Sequence, residues 1–332
     1  MKFSVRYLAI FVGAIVILAV ASYTAYWFVT AGRLRAGLEK WAADHRAQGY
    51  DIAWARASVG GFPLMFRIGL DDASLARGNT YRIAAPEITG EATPWDLSRW
   101  RISVPRGANG NAQGVDATIT ARSLRGEVVL GAADSRFDLS ALHLAGAGAE
   151  AGTVTAQIVL PRRAPQSHRD LGLAAAVQVY HLMLPRPVKA LGNTVESFAL
   201  EFHIMGGLPP GDWRQALTAW RDEGGTIEVT RGALQWGALD LETSGTLALD
   251  RYMQPTAAMT ASVVDQDALI DAAVAAGLLP KQNMTVVKLV LDLIARPGAD
   301  GRTRLTAPVT MEDGKLSIGQ AEIGKVPPVE WK

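Results

Sequence analysis

Val177-Gln178-Val179-Tyr180-His181-Leu182-Met183 and Phe198-Ala199-Leu200-Glu201-Phe202-His203-Ile204 decide how this chain is built. In the first stretch Val177, Val179, His181 and Met183 fall on one side, with Gln178, Tyr180 and Leu182 on the other. In the second, Phe198, Leu200, Phe202 and Ile204 oppose Glu201 and His203. A period of two places alternate side chains on opposite faces of a strand, so both read as strands with an apolar face.

The same period spreads outward in both directions. Ile52 and Trp54 begin it after Tyr50, and Phe66, Ile68 and Leu70 resume it after the turn cluster Gly60-Gly61-Phe62-Pro63. That cluster predicts a hairpin tip with a glycine at positive φ and Phe62 packed on the sheet. Shorter alternating runs follow at 81–88, 115–122, 125–130, 136–144 and 153–160. Beyond the break at Gly206-Gly207-Leu208-Pro209-Pro210-Gly211, the pairs Ile227/Val229, Leu234/Trp236, Leu239/Leu241 and Leu247/Leu249 alternate again. Val286 to Arg296 reads as a long strand with Val287, Leu289, Leu291 and Leu293 on one face, and Asp313-Gly314 as the turn of a last hairpin.

Helical spacing is confined to a few places. Leu34, Leu38 and Trp41 recur at four and three in a juxtamembrane amphipathic helix ending near Gly49. Trp213, Leu217 and Trp220 do so after an Asp212 cap, up to Gly224-Gly225, and a further helix fits Asp267 to Leu279. About a dozen strands joined by short turns predict antiparallel meanders, so the expected class is α+β and β-dominated: a long bent antiparallel sheet with a few covering helices.

The amino terminus carries the clearest targeting signal. No charged residue lies between Arg6 and Arg33, and Tyr7 to Val29 forms a helix about 34 Å long, enough for a bilayer core of about 30 Å. Tyr23, Tyr26, Trp27 and Phe28 cluster at its far end as an aromatic belt does. The competing reading is a cleaved signal peptide, with Lys2 and Arg6 as its basic region and Ala19-Val20-Ala21 before Ser22 as its cleavage site. The apolar run continues past that site, so the expectation is an uncleaved single-pass anchor in a bacterial inner membrane, with the bulk of the chain in the periplasm. The expected organisation is an anchor over 1–30, a juxtamembrane helix over 31–49, and β-rich lobes over 50–210 and 211–332.

Composition excludes several chemistries. Thirty-three Lys+Arg against 32 Asp+Glu leave a net charge of +1, which does not suit a nucleic-acid binder. With no cysteine there is no disulfide framework, thiolate metal site or cysteine nucleophile. The five histidines, His45, His143, His168, His181 and His203, form no ligand spacing, and no Gly-x-Ser-x-Gly elbow or phosphate loop occurs. Asp71-Asp72 reads as a pair of solvent-facing acids, and Asp265, Asp267 and Asp271 lack the glycine and closing glutamate of a calcium loop. The expectation is a protein without catalytic residues, cofactor or metal.

Several elements together resemble a known family. Trp41, the strand 50–57, the run Val59-Gly60-Gly61-Phe62-Pro63-Leu64-Met65-Phe66-Arg67, the segment Gly245-Thr246-Leu247-Ala248-Leu249-Asp250, and the ending Glu312-Asp313-Gly314-Lys315-Leu316-Ser317-Ile318-Gly319 with Val326-Pro327-Pro328 resemble the bacterial envelope family catalogued as domain of unknown function 2125. The carboxy-terminal pattern is similar, more distantly, to the AsmA-like group of anchored periplasmic proteins. That second resemblance implies a bent sheet forming an apolar groove, linked to phospholipid movement or outer-membrane homeostasis.

The functional expectation joins these strands of argument. Val177, Val179, Phe198, Leu200, Phe202, Val287, Leu289, Leu291 and Leu293 are the candidate lipid-groove residues, and Gly60, Gly61, Phe62 and Pro63 the structural motif. Inner-membrane lipids, a phospholipid ligand or envelope proteins are the expected partners. The alternative is a non-catalytic envelope scaffold that recruits partner proteins along its sheet edges.

Overall fold

A computed structural model describes residues 5–112, 118–131, 133–188, 191–209, 213–264, 303–319, 321–329 and 331, with isolated positions between 267 and 297. The chain is β-dominated and forms two compact units, Met1–Val128 and Val129–Lys332.

The first unit opens with one uninterrupted helix, α1 (Val5–Ala47), so the apolar segment and the juxtamembrane helix are a single element. It ends where the sequence places the stop. Tyr50 N–H donates to the His45 carbonyl and Gly49 N–H to that of Arg46, with Gly49 at φ +86°. This is the glycine-terminated arrangement that satisfies the last carbonyls of a helix. The Arg46 guanidinium then donates to the Ile52 carbonyl at 2.8 and 2.6 Å, tying the helix end to the first strand.

Seven strands follow: β1 (Asp51–Ala53), β2 (Arg56–Gly60), β3 (Phe66–Arg77), β4 (Tyr81–Thr93), β5 (Asp96–Val104), β6 (Ala108–Ala112) and β7 (Ile119–Leu130). β3 is the organising strand. On one side it pairs with β2 near its start and β1 near its end; on the other it pairs with β4 along nearly its whole length. α1 packs on this unit through Trp27, Thr30, Ala31 and Ala42, all buried. Trp27, Ala31 and the fully buried Phe66 form its core with Leu34, Val59, Leu97 and Trp100.

The second unit carries β8 (Asp134–Gly146), β9 (Ala149–Pro161), β10 (Leu171–Val188), β11 (Gly192–Met205), α2 (Trp213–Asp222), β12 (Thr226–Trp236), β13 (Leu239–Leu249), β14 (Pro255–Val264), β15 (Arg296–Pro297), β16 (Thr303–Glu312), β17 (Lys315–Ile318) and β18 (Ala321–Lys325). From β8 through β14, and on through β16, β17 and β18, each strand pairs antiparallel with the next, and β15 adds a short pairing to β16. The closing hairpin turns at Asp313 (φ +51°) and Gly314 (φ +69°), the left-handed pair that matches strand twist.

Two sequence readings meet a different outcome. The Gly206–Gly211 turn cluster does not separate the compact units, because β11 and β12 on either side of it pair from Met205↔Thr226 to Ser197↔Gln235. Of the strand expected over 286–296, the described positions Lys288 and Leu289 are helical, as are Met284 and Thr285 before it, while its last residue, Arg296, opens β15. Val287, Leu291 and Leu293 lie outside the described residues. The run 286–294 has apolar residues at spacings of three and four as well as two, and a short apolar run of that kind fits either period. The second expected helix, 267–279, is helical at Asp267, Ile270, Asp271 and Val274.

Candidate functional site

Register converts the alternation of single strands into a face. Val179 lies opposite Phe198 on β11 and Val154 on β9; Phe198 opposes Leu234, Leu234 opposes Leu241, Leu241 opposes Val263 and Val263 opposes Leu305. With Ala141 opposite Val154 on β8, this row crosses eight strands without a polar residue. At a strand spacing of about 4.8 Å it is roughly 34 Å long.

Adjacent rows repeat the pattern. Val177 and Leu200 are directly opposite, with Leu139 and Ala156 continuing their row. Phe202 opposes Ala175 and, past a bulge at Thr230, Val229. The other face carries Gln157, Gln178, Glu201, Arg231, Glu242 and Arg304, with Glu201–Arg231 and Glu242–Arg304 as ion pairs at 3.7 and 4.0 Å. Val177, Val179, Phe198, Leu200 and Phe202 thus share one face of the sheet. Each is half-buried, keeping part of its surface open to solvent. Leu289 is 64 % exposed on its helical turn and does not extend this strand face.

The face changes character at its margins. Leu239 and Val263 are closed by Leu191, and Leu305 by Ile270 and Val274 from the second helical segment. The strict alternation of β10 stops at His181, whose φ of +53° departs from extended geometry; Met183 beyond it is exposed and does not continue the face.

At one end the apolar surface deepens into a cavity of about 270 Å³. Ile204, Ile227, Leu247 and Leu249 give its strand wall, Leu217 and Trp220 of α2 a second wall, and Val329 and Trp331 of the tail a third. Trp220 is fixed by donation from Nε1 to the Met205 carbonyl at 2.7 Å. The tail is held by Trp331 Nε1 to the Met253 carbonyl at 2.7 Å and by Val329 N–H to Gln254 Oε1 at 2.8 Å. The helical spacing 213/217/220 and the 247/249 alternation were visible in sequence, but nothing in the tail signalled its role as a wall. The cavity is smaller than the roughly 300–1,000 Å³ of a drug-sized ligand site, so it fits a segment of a hydrocarbon chain.

The second motif lies in the first unit. Gly61 has the expected positive φ (+98°), Gly60 does not, and Phe62–Pro63 is a cis peptide. Phe62 packs on α1 and not on the sheet as expected: its ring lies 5.4 Å from that of Trp27 and 5.6 Å from that of Phe28. The expectation missed this because the aromatic end of the apolar helix, only about 35 residues upstream, offers a larger ring surface than any strand face near the tip.

Polar side chains give little sign of reaction chemistry. His143 meets Glu150 at 3.3 Å on the surface. Asp71 pairs with Arg56 at 3.8 Å, and Asp72 is exposed at φ +50°. Among the described residues no three His, Asp or Glu converge as metal ligands do. Asp96 and Asp170 have pKa values below the usual aspartate range, Asp96 through hydrogen bonds from Ser98 and Asp170 through backbone N–H donation from Gln166 and Ser167. Asp96 opens β5 directly after its turn and Asp170 lies in a loop, and each holds the neighbouring backbone in place.

Comparison with curated proteins and with solved structures gives no match. A family profile does match, over residues 27–327, from the aromatic end of α1 to the tail prolines. The chain therefore belongs to the bacterial family described as uncharacterized protein conserved in bacteria, DUF2125.

Proposed function

We propose that this protein is a non-catalytic, membrane-anchored component of the bacterial envelope that holds lipid acyl chains on the apolar face of its second unit, with the bulk of the chain in the periplasm. The observation that carries the reading is the eight-strand apolar row from Ala141 to Leu305, half-buried through its middle. Leaving such a surface in water is unfavourable, and each methylene of an acyl chain placed on it contributes about 0.8 kcal/mol. The charged opposite face stays in solvent, and a headgroup is left in water beyond the row. The end cavity receives a chain terminus. What supports anchoring is the helical segment Phe11–Ala47, which is long and apolar enough to cross a membrane by length and composition.

The test is native mass spectrometry of the full chain extracted in mild detergent, comparing the wild type with Leu200→Asp. The expected result is phospholipid bound to the wild type and lost from the variant, with unchanged circular dichroism and melting. A wild type that carries no lipid overturns the reading and favours the scaffold alternative.

A further inference from the structure

The uncharged segment of α1 is longer than a bilayer core requires. The 26 residues between Arg6 and Arg33 extend about 39 Å, against a core of about 30 Å. The excess of about 9 Å corresponds to the last turn and a half of that segment. Two hairpin tips of the first unit are fastened to the helix across the start of that excess, from the turn just before it to its first residue. The Tyr23 hydroxyl donates to the Pro63 carbonyl, the Tyr26 hydroxyl to the Pro94 carbonyl at 2.7 Å, and Trp27 Nε1 to the Met65 carbonyl at 3.2 Å. Phe62 stacks against Phe28.

What these tips expose is out of character for loops in water. Phe62 is 46 % exposed, Leu64 66 % and Trp95 72 %. They continue an exposed apolar surface that already includes Tyr26, Phe28 and Val29 on the helix and runs down it through Val20, Leu18 and Ile17. The first charges beyond the tips have partners: Arg67 meets Glu91 at 2.6 Å, and Asp96, next to Trp95, accepts from Ser98 and lies 4.0 Å from Arg99. Arg33 and Arg35 follow on the helix, at the height where lipid phosphates lie.

We propose that the β2–β3 tip (residues 61–65) and the β4–β5 turn (Pro94, Trp95) are seated in the headgroup layer of the bilayer that α1 crosses, with Phe62, Leu64 and Trp95 inserted at the hydrocarbon boundary. The occupant of this surface is the same membrane as the anchor's, because Tyr23, Tyr26 and Trp27 bond the tips to the helix across the edge of the core, in its outermost turn and the residue beyond. Aromatic and aliphatic side chains with nearby polar backbone are the residues such a boundary favours. The inference rests on the anchor reading and is independent of lipid binding by the second unit.

The chain has no cysteine, so single substitutions give clean labelling sites. Nitroxide labels are placed by Leu64→Cys, Trp95→Cys, Ile17→Cys and Asn79→Cys in the full chain, reconstituted into phosphatidylethanolamine/phosphatidylglycerol vesicles. Accessibility is read to oxygen, which partitions into lipid, and to a nickel chelate, which stays in water. Asn79 is the reference, exposed in the turn at the other end of β3, about 40 Å from the tip at about 3.3 Å per residue. The expected result is a several-fold higher oxygen-to-nickel ratio at 64 and 95 than at 79, below that at 17. Labels at 64 and 95 as wet as that at 79, with 17 in lipid, overturn the seating and leave the anchor standing. A wet label at 17 overturns both.

Discussion

Phe66 and Phe62 offer a controlled comparison, since both rings lie against Trp27 and only one is enclosed. Phe66 is fully buried and stacked on Trp27 at 5.1 Å; Phe62 meets Trp27 edge-on at 5.4 Å and is 46 % exposed. Phe66→Ala removes a fully desolvated ring and leaves a hole among Trp27, Ala31 and their neighbours, a change that costs about 3–5 kcal/mol. Phe62→Ala removes a ring that keeps about half its surface outside the protein, and solvent or detergent enters the space it leaves. Half of a full phenylalanine transfer, without the cavity cost, is about 0.8–1.5 kcal/mol. The expected gap between the variants is thus about 2–4 kcal/mol, a large fraction of the roughly 5–15 kcal/mol that holds a typical domain together. The assay is urea unfolding of the full chain in non-ionic micelles, followed by tryptophan fluorescence and by limited proteolysis mapped to residues 50–128. Equal losses for the two variants, or a loss under about 1 kcal/mol for Phe66→Ala, would refute the assignment of Phe66 as the enclosed ring of this junction.

Other consequences are as specific. Gly61→Val places a β-carbon 2.7 Å from the Met65 carbonyl oxygen at a φ of +98°, and should cost more than the ~1 kcal/mol of a compatible glycine replacement, measured by the same unfolding assay. Gly225→Ala brings a β-carbon within 2.3 Å of the Trp220 ring, so the indole must move; a shift in tryptophan emission and a lowered melting temperature are expected. Trp220→Phe leaves the Met205 carbonyl without its donor and should destabilise the α2 end of the sheet by about 1–3 kcal/mol, seen as faster amide exchange in 204–227. Asp170, whose pKa is lowered by the Gln166 and Ser167 amides, supports its loop fully at neutral pH and loses that support as pH falls through its folded pKa, below the ordinary aspartate value near about 4. Amide protection at 166 and 167 should therefore hold down to that range and fade beneath it, whereas Asp170→Asn should abolish the pH dependence.

Much of this was legible because period-two patterning is a local signal. Val177, Val179, Phe198, Leu200 and Phe202 could be assigned to one face of their own strands from sequence, and their register then made that face continuous. The Asp313-Gly314 turn and the end of α1 at Gly49 were equally local, since each depends on one residue that tolerates left-handed backbone. What sequence withheld was long-range. Phe62 was matched to the sheet because strands surround it in sequence, whereas its partner is a helix face formed by residues 23–28. The walls of the end cavity join residues 204, 247 and 331, which no pattern of a single element connects. The run 286–294 shows the remaining difficulty: an apolar stretch dense enough to satisfy two periods carries no preference of its own, and its surroundings choose.

The unbroken course of α1 sets a rotational phase. The helix grips the first unit over two stretches, Tyr23 to Leu34 and again Ala42 to Arg46. Trp27 in the first and Ala42 in the second are about 22 Å apart along the axis, and the two grips share one angular setting. Inserting a single residue between them, at Gly37 for example, would turn one grip by about 100° relative to the other, so both could not close at once. The helix therefore acts less as a tether than as a keyed shaft: it fixes the azimuth and height of the first unit relative to its apolar segment, and a deletion or insertion in 35–41 would be read as a twist.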